Sequence, residues 1–337
     1  MTHVRVIRAG LSTTIQDLGR PGFRSIGVPL GGAMDRMAHE LGNRLVGNSA
    51  ALATLEMTMS GDELQWSHAA VIAVTGANMA PVAISGSGSE TAIPLNSPVT
   101  IAAKTRLRFH TAKQGCRSYL AVAGGFDVPQ IMGSRATYLR AALGGFGGRV
   151  LRNDEEIPIA ESTNRPPKVE HEGVICPLWF VRPISLPRPD EMTVRVLRGC
   201  HFHRMSMISQ SDFFSLPFTI SPQSDRMGYR LTGPRLSSDG AKEMLSEGTA
   251  VGTIQLPANG QPIILMADSA PTGGYPRIAH VISADHPVAA QLRPGQSVRF
   301  EEVALTEAQQ LFLDQRRDFE RALLMADLVS RGSSRLF

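Results

Sequence analysis

The sequence predicts a mainly β protein made of two small β-barrels in tandem and a C-terminal helix. Three observations support this fold class: an internal repeat, short apolar runs bounded by turn residues, and a helix-forming stretch near the C-terminal end. The 337 residues are more than one compact core usually holds, so two domains are expected. The 32 glycines and 22 prolines make turns frequent, which favours short strands over long helices.

The internal repeat relates two segments, residues 4–109 and 194–300. Four matches occur in the same order with an almost constant offset of about 190 positions, which indicates a duplicated structural unit rather than chance. The matches pair residues 4–8 with 194–198, residues 35–37 with 225–227, Glu56 with Glu247, and residues 107–109 with 298–300.

Strand patterns recur inside both copies. Residues 71–74 and 263–266 are short apolar runs between turn residues, as in buried strands. Residues 4–6 and 194–196 alternate Val with Arg, so one face of each strand is expected to be buried and the other wet. An open sheet would leave unpaired edges, and closure into a barrel removes them.

Two helices are predicted. Residues 34–45 place apolar side chains on one face at helical spacing, whereas the corresponding stretch 229–238 of the second copy contains Pro234. Thr306 and Gln309 form a capping-box pattern that opens a helix reaching about Leu328. Residues 330–337 are expected to fray.

These patterns give four predicted segments. Residues 1–150 form the first barrel with an extension, and residues 151–193, which are rich in Pro toward their C-terminal half, form a linker. Residues 194–303 form the second barrel, and residues 304–337 form the C-terminal helix and tail.

Composition excludes some classes of function. The formal net charge is only +4, only four residues are Lys, and no Lys/Arg run is present, so no nucleic-acid partner is expected. The three cysteines form no pair motif, which is typical of a reducing compartment. The N-terminus enters a strand pattern directly and no apolar stretch is long enough to cross a bilayer, so the prediction is a cytoplasmic protein without a membrane partner.

The first candidate site segments combine Asp with Arg. Residues 13–22 place Gln16, Asp17 and Arg20 in a turn bracketed by Gly and Pro, where they can act on one substrate or simply pair and rigidify the turn. Asp225 and Arg226 lie in a loop context that suits function, while their recurrence in both copies suits an inherited structural network. We predict Asp17, Arg20, Asp225 and Arg226 as catalytic candidates.

The remaining candidates carry amides and backbone N–H groups. Gln255 and Gln261 flank an Asn-Gly hairpin turn, and their amides suit a neutral amide or lactam, although an ordinary hairpin is the alternative. A second segment has a Thr-Gly-Gly turn whose N–H groups suit an anion, with an Arg nearby as countercharge. The predicted substrate-binding set is therefore Gln16, Gln255, Gln261, Thr272, Gly273, Gly274, Tyr275 and Arg277.

Several cofactor motifs are missing from the sequence. It has no Walker-type GxxxxGK[ST] loop, no dinucleotide GxGxxG and no GxSxG elbow. No Met-Lys dipeptide is present, so any biotin would arrive on another chain. His201 and His203 would share one face of a strand, but two partly exposed histidines explain them better than a metal site, and no metal is predicted.

Five stretches together resemble the family known as allophanate hydrolase subunit 2, as KipA-like proteins, or as the C subunit of prokaryotic 5-oxoprolinase. They are residues 13–22, 27–43, 221–231, 252–265 and 272–285. The resemblance implies two cyclophilin-like β-barrels, which agrees with the duplication. It also implies a subunit-1 or KipI-like partner, which is the B subunit of 5-oxoprolinase, and, in the 5-oxoprolinase assembly, a third subunit.

The resemblance implies three functions that stay open here. The leading hypothesis is a subunit of a complex that uses ATP to hydrolyse the lactam 5-oxoproline to glutamate, with ATP bound elsewhere in the complex or through an architecture other than a Walker loop. The second is a carboxyltransferase subunit of a biotin-dependent urea or amide carboxylase. The third is a KipA-like regulatory subunit without turnover.

Overall fold

The computed structural model describes residues 2–162, 166, 173–182, 192–238 and 244–333, with side chains up to Val329. The chain divides into two compact units. Unit 1 comprises Met1–Gly19, Asp35–Leu186 and Arg317–Phe337, and unit 2 comprises Arg20–Met34 and Pro187–Arg316. The segment Arg20–Met34 therefore packs with the C-terminal half of the chain, although the sequence predicted it within the first barrel.

Unit 1 consists mainly of short strands. Its helix α1 spans Arg36–Leu45, and a 3-10 turn spans Leu139–Ala141. Its strands are β1 His3–Arg8, β2 Ser12–Gln16, β3 Thr54–Thr58, β4 Glu63–Trp66, β5 Ala70–Asn78, β6 Val82–Ile84, β7 Glu90–Ala92, β8 Pro98–Ile101, β9 Arg106–Arg108, β10 Gln114–Val122, β11 Glu156–Pro158 and β12 Val174–Ile175.

The strands of unit 1 form two six-stranded sheets that bury one common core. One sheet has the order β11-β1-β4-β9-β6-β7 and the other β12-β8-β5-β10-β3-β2. Alternating residues of β1 (Val4, Val6) and nearly all of the apolar strand β5 are buried, as the repeat pattern predicted. Two edge strands, β11 and β12, come from the segment predicted as a linker.

Helix α1 begins where the sequence predicted it and is fixed by a side-chain cap. The Asp35 carboxylate accepts a hydrogen bond from Ala38 N at 3.0 Å, which satisfies a free N–H of the first turn. The Asp35 N–H donates to the Tyr119 hydroxyl at 2.7 Å, and that hydroxyl donates to Glu56 Oε2 at 2.8 Å. Burial, more than the neighbouring carboxylates, raises the pKa of Tyr119 well above its usual value.

Unit 2 holds the second set of strands and two short helices. The helices are α2 Met207–Ser215 and α3 His286–Ala290, and 3-10 turns span Arg24–Ile26, Phe202–Arg204 and Ser283–Asp285. The strands are β13 Met192–Arg198, β14 Phe218–Ile220, β15 Gly228–Thr232, β16 Glu247–Gly248, β17 Thr253–Gln255, β18 Ile263–Leu265, β19 Thr272–Gly273, β20 Arg277–Val281 and β21 Ser297–Glu302.

Seven of these strands close into a barrel with the order β13-β20-β17-β18-β15-β14-β21. The parallel pairing of β13 with β21, in which Val194 lies opposite Phe300, closes the ring and removes both edges. Inside it, the rings of Phe213 and Phe300 stack with centroids 4.7 Å apart. Strands β16 and β19 form a separate two-stranded ladder.

The C-terminal helix α4, Leu305–Ser333, confirms the predicted helix and extends it by a few residues. Its Ala308 packs with Ile282 and Val303 in unit 2, and its Phe319 and Leu323 pack with the apolar face of α1 in unit 1. Positions 334–337 of the predicted tail lie outside the described residues.

The predicted fold class is confirmed: the protein is mainly β, with a closed barrel and a C-terminal helix. The two copies differ in closure, because unit 1 has two hydrogen-bonded sheets while unit 2 has one continuous ring. The described part of the chain has no helix that combines the length and the apolar character needed to cross a membrane.

His39 of α1 is a buried neutral base, which makes stability depend on pH. Its Nδ1 lies 2.9 Å from Thr54 Oγ1 and its Nε2 lies 3.0 Å from Ala50 O. Burial lowers the pKa of His39 from 6.5 to about 4. The unfolded chain therefore binds this proton first, so the stabilisation is complete above pH 6.5 and is lost as pH falls toward 4.

We predict that the free energy of unfolding decreases by about 2 kcal/mol between pH 6.5 and about pH 5 because of His39. Denaturant titrations at several pH values measure this slope. The variant His39→Gln should have a much flatter slope, while the control His68→Gln, at an exposed position, should keep the wild-type slope. Equal slopes in all three proteins would contradict the assignment.

Candidate functional site

The candidate site of unit 2 is built around the segment 268–277, which follows strand β18. Asp268 begins the segment and Arg277 ends it, at the start of β20. The segment contains the predicted Thr272, Gly273, Gly274 and Tyr275.

Asp268 is held by a buried ion pair with Arg226. Arg226 Nε donates to Asp268 Oδ2 at 2.8 Å, and Arg226 Nη2 donates to Oδ1 at 3.0 Å, the bidentate geometry of a strong charge-assisted pair. Arg226 Nη2 also donates to Gly32 O at 2.6 Å. The pair therefore ties together the turn before β15, residue 32 and the segment 268–277.

Arg20 is fully buried beside the same carboxylate. Its backbone N–H donates to Leu30 O at 2.7 Å, and the backbone N–H of Gly31 donates to Ala267 O at 3.1 Å. A side chain on Gly31 would begin 3.5 Å from Arg20 Nη1 and 3.6 Å from Asp268 Oδ1, and the φ of Gly31 is +65°, a conformation that favours Gly. The structure thus brings two of the predicted catalytic candidates, Arg20 and Arg226, toward Asp268.

Asp225 does not join this cluster, because its carboxylate serves its own turn. Asp225 Oδ1 accepts from Met227 N at 2.8 Å and from Gly228 N at 3.2 Å, an Asx-type turn. The Asp of the Asp-Arg-Met repeat therefore has two structural roles: Asp35 caps a helix and Asp225 stabilises a turn before β15.

At the other end of the segment, Gln255 and Arg277 face each other across strands β17 and β20. Gln255 is 4% exposed, and its Nε2 has no hydrogen-bond acceptor among the described residues. The Nε of Arg277 is likewise buried without an acceptor in the described ranges. Two unmatched buried donors on paired residues of neighbouring strands are costly in a folded protein and indicate a place for an acceptor group of a ligand.

The remaining atoms of Arg277 are anchored. Its Nη1 donates to Gly248 O at 3.1 Å and its Nη2 pairs with Glu247. Its backbone N–H donates to His201 Nδ1 at 3.1 Å. These contacts fix the guanidinium in place while its Nε stays unmatched, which is the preorganisation that binding a polar group requires.

We call the two-stranded ladder of residues 247–248 and 272–273 the strap. In it Glu247 pairs with Gly273 and Gly248 with Thr272. A Cβ on Gly273 would lie 2.4 Å from Gln255 Nε2, so this glycine lies directly against the amide. Arg24 supports the neighbouring loops by donating to the carbonyl oxygens of Thr249 and Pro271.

Three other predicted residues have different contacts. Gln261 accepts from Gly233 N at 2.9 Å and donates to Gly233 O at 3.2 Å, so its amide is used within a local turn. Gly274 O accepts from Met244 N at 3.2 Å. Tyr275 is nearly half exposed beside Gly274. Of the two predicted glutamines of this hairpin, only Gln255 approaches the segment 268–277.

Gln16 and Asp17 belong to unit 1, where their contacts fix strand β2 and the turn that follows. The Asp17 carboxylate accepts from Gly19 N at 2.7 Å, Ser134 Oγ at 2.7 Å and Arg135 N at 2.6 Å. Gln16 Nε2 donates to Thr14 Oγ1 and Thr137 O, while its buried Oε1 has no donor within the described ranges. Asp17 therefore has the contacts of a turn-stabilising carboxylate.

Cys200, His201 and Glu247 lie close enough to bring one ligand atom each within 4.8 Å of the others. Their existing contacts disfavour a metal there. His201 Nδ1 uses its lone pair to accept from Arg277 N, so the neutral ring carries its proton on Nε2. Glu247 is already paired with Arg277. Burial, followed by the charge of Arg204, lowers the pKa of His201, which supports the neutral form.

Sequence reasoning missed Asp268 and Glu247 as site residues. Asp268 stands at the start of the segment already singled out, and its pairing with Arg226 depends on a contact 42 positions apart in the chain. The internal repeat did single out Glu247, because it matches Glu56 of the first copy. Nothing in the sequence indicated that Glu247 would face Arg277.

Comparisons with a family model and with known proteins agree on one family. The family model described as "Carboxyltransferase domain, subdomain A and B" matches residues 26–302. The chain is 40% identical over 323 residues to the C subunit of 5-oxoprolinase from Escherichia coli (strain K12), covering 94% of this chain and 97% of that protein. It is 36% identical over 310 residues to the corresponding 5-oxoprolinase subunit of Haemophilus influenzae, covering 90% and 94%.

A solved structure extends the likeness to a larger enzyme. The crystal structure of the Kluyveromyces lactis urea carboxylase matches with a TM-score of 0.84 and 26% identity. The match covers 95% of this chain and 29% of that one, so this chain spans less than a third of the larger protein.

We predict that Gly273→Ala displaces the end of the Gln255 side chain and destabilises the protein by about 0.5–1 kcal/mol, because the new Cβ would overlap the Gln255 amide. Gly248→Ala is the matched control in the same strap, since a Cβ there meets nothing within 4 Å. Thermal and denaturant unfolding measure both. The double variant Gly273→Ala/Gln255→Ala should be as stable as Gln255→Ala alone, and a further loss in the double variant would show that the amide is not the obstacle.

Proposed function

Because the chain belongs to the carboxyltransferase domain family of subdomains A and B, we propose that it is a subunit of a complex that uses ATP to hydrolyse 5-oxoproline to glutamate. The proposal is supported by its likeness, along nearly the full length of both chains, to proteins named as the C subunit of 5-oxoprolinase. Relatives of this chain are parts of enzyme complexes or of larger enzymes. In this proposal the partners are a subunit-1 or KipI-like protein and a third subunit.

The observation that carries the proposal is the pair of unmatched buried donors, Gln255 Nε2 and Arg277 Nε. Both can donate to one carbonyl oxygen of a small amide or lactam, and their donation strengthens as negative charge develops on that oxygen when the carbonyl is attacked or phosphorylated. The chain's own contribution is therefore to bind and polarise the lactam carbonyl. ATP is a co-substrate that the partner subunits hold in this proposal, since the sequence has no Walker loop.

Arg20, Arg226 and Asp268 act in this proposal as positioning residues. The ion pair fixes the start of the segment 268–277, whose far end presents Arg277. The carbonyl-binding donors need to be held within a fraction of an ångström for effective polarisation, and a rigid anchor at the base of their segment serves that need.

The second candidate function is carboxyl transfer to urea or a related amide. The likeness to the urea carboxylase structure favours it, and urea is also a small amide that the same donors can bind. Biotin would then arrive on a partner chain. A regulatory KipA-like role without turnover is the third candidate, and it requires that variants of the donor pair leave every amide-dependent activity unchanged.

The test is to purify the tagged chain with its partners from its native cells and to measure ATP hydrolysis with and without 5-oxoproline, together with glutamate formation. We expect stimulation by 5-oxoproline. Arg277→Met should lower kcat/KM by about 10²-fold, as loss of one carbonyl-stabilising donor does. Arg198→Met, which removes another Arg paired with a Glu in the same unit, should leave kcat/KM near the wild-type value.

A biotin-bearing partner and ATP hydrolysis stimulated by urea instead of 5-oxoproline would contradict the proposal and establish the carboxyltransferase candidate. Equal kcat/KM values for the Arg277 and Arg198 variants would remove the donor pair from the site. The biotin is detected with a streptavidin blot of the purified complex.

A further inference from the structure

Glu247 is an acceptor group that contacts the guanidinium of Arg277, one of the two residues with an unmatched donor. It lies on the strap, pairs with Gly273 in the ladder, and its side chain is 43% exposed. Its carboxylate pairs with Arg277 Nη2, which belongs to the same guanidinium as the unmatched Nε. The site therefore presents N–H donors and a carboxylate acceptor side by side.

The charges of this arrangement indicate the kind of group it binds. The positive charge of Arg277 is balanced by Glu247, so an anionic group placed at Arg277 Nε would also face the Glu247 carboxylate. A neutral group that carries an acceptor and a donor next to each other meets no such repulsion. The chemical complement of the site is a neutral amide whose C=O and N–H lie on the same side.

A primary amide has that shape, because one hydrogen of its NH₂ group lies on the carbonyl side, but most secondary amides do not. An open-chain secondary amide is trans, with its C=O and N–H on opposite sides. A small lactam ring forces the amide to be cis, and urea has an N–H beside its carbonyl oxygen because each of its nitrogens carries two hydrogens. Lactams and ureas therefore present the acceptor–donor pair that the site complements.

We propose that Glu247 is a specificity-determining residue that selects cis-amide substrates. The amide oxygen accepts from Gln255 Nε2 and Arg277 Nε, and the amide N–H donates to the Glu247 carboxylate. The proposal rests on the function proposed above, because it names the recognition chemistry of that same site. It places a residue in the site that neither the sequence analysis nor the family match assigned.

Ligand entry requires the strap to move. Gln255 is buried, and Gly273 of the strap lies against its Nε2, since a Cβ on Gly273 would lie 2.4 Å from that atom. Displacing the strap breaks the two-pair β16–β19 ladder and the flanking backbone bonds from Thr249 N to Pro271 O and from Met244 N to Gly274 O. It also releases Arg277 from Glu247 and Gly248, and these contacts re-form when the strap closes.

Displacement also exposes Gln255 Nε2 and Arg277 Nε to water. Burying these two donors again without an acceptor costs free energy, so the empty site resists closure. Glu247 lies on the strap and therefore closes onto the amide N–H with it.

The experiment compares a lactam with a lactone, which has the same ring and carbonyl but no N–H. The inhibition constants of 2-pyrrolidone and γ-butyrolactone are measured against 5-oxoproline-dependent ATP hydrolysis by the purified complex. The inhibition constant of the lactam for the wild-type complex should be about 10- to 100-fold lower than that of the lactone, which is the typical contribution of a hydrogen bond to a charged group. In Glu247→Gln the preference for the lactam should fall about 10-fold, because the lactam N–H then donates to a neutral carboxamide oxygen, which is a weaker acceptor than a carboxylate.

Glu302→Gln is the matched control, since Glu302 also pairs with an Arg of the barrel, Arg198, at 2.7 Å. It should keep the wild-type preference. Melting curves of both variants check that they fold, and Glu247→Asp, which keeps the carboxylate, should recover part of the preference. An unchanged lactam preference in Glu247→Gln with normal turnover of 5-oxoproline would overturn the inference and leave the proposed function intact.

Calorimetric titration of the full chain with the same two compounds separates the two proposals. If 5-oxoproline stimulates no ATP hydrolysis, but the chain prefers the lactam and Glu247→Gln reduces that preference, the proposed function fails and the inference stands. If the wild-type chain and complex bind lactam and lactone equally, the inference fails.

Discussion

The buried ion pair between Arg226 and Asp268 is the constraint on which the site of unit 2 depends. Two charges removed from water are stable only when their hydrogen-bonding capacity is used, and here the bidentate contact and the bond to Gly32 O use it. Because Asp268 starts the segment 268–277, its fixed position determines where that segment leaves the barrel. The segment then returns to the barrel at Arg277, the residue that presents an unmatched donor.

The two copies of the repeat show how one motif acquires different roles. In both, an Asp precedes Arg and Met, and in both the Asp carboxylate accepts from backbone N–H groups just after it. After Asp35 the chain continues into α1, which packs on β5 and β10. After Asp225 the chain enters β15 instead, and the adjacent Arg turns inward to Asp268. Both copies retain the contact between the Asp carboxylate and the backbone N–H groups that follow it, whereas the long-range contacts of the motif differ between the copies.

The sequence was sufficient for the fold class and for the positions of most strands, since periodicity and turn residues are local signals. The apolar runs 71–74 and 263–266 lie in strands or at a strand end, and the capping pattern at Thr306 marks the start of a helix. It was insufficient where long-range contacts decide. The assignment of residues 20–34 to unit 2, and the edge strands inside the predicted linker, depend on pairing between distant residues.

The same distinction holds for the site. Gln255, Gly273 and Arg277 were chosen for their chemistry, and the barrel brings them together because β17 and β20 are neighbours. Gln261, six positions from Gln255, has equal chemistry, but its amide closes a turn with Gly233. Residue type alone could not separate the two glutamines. Glu247 was invisible as a site residue because its role comes from facing Arg277 across the strap.

The parallel pairing of β13 with β21 places the two ends of the barrel segment close together. The first and last strands of the barrel are neighbours, so the chain enters and leaves within about one strand length of the same place. A module with adjacent ends can be joined to other genes, or inserted among them, without disturbing its interior. The likeness to a separate 5-oxoprolinase subunit covers 94% of this chain and the likeness to a minor part of a larger enzyme covers 95%, so the barrel and unit 1 are inherited together.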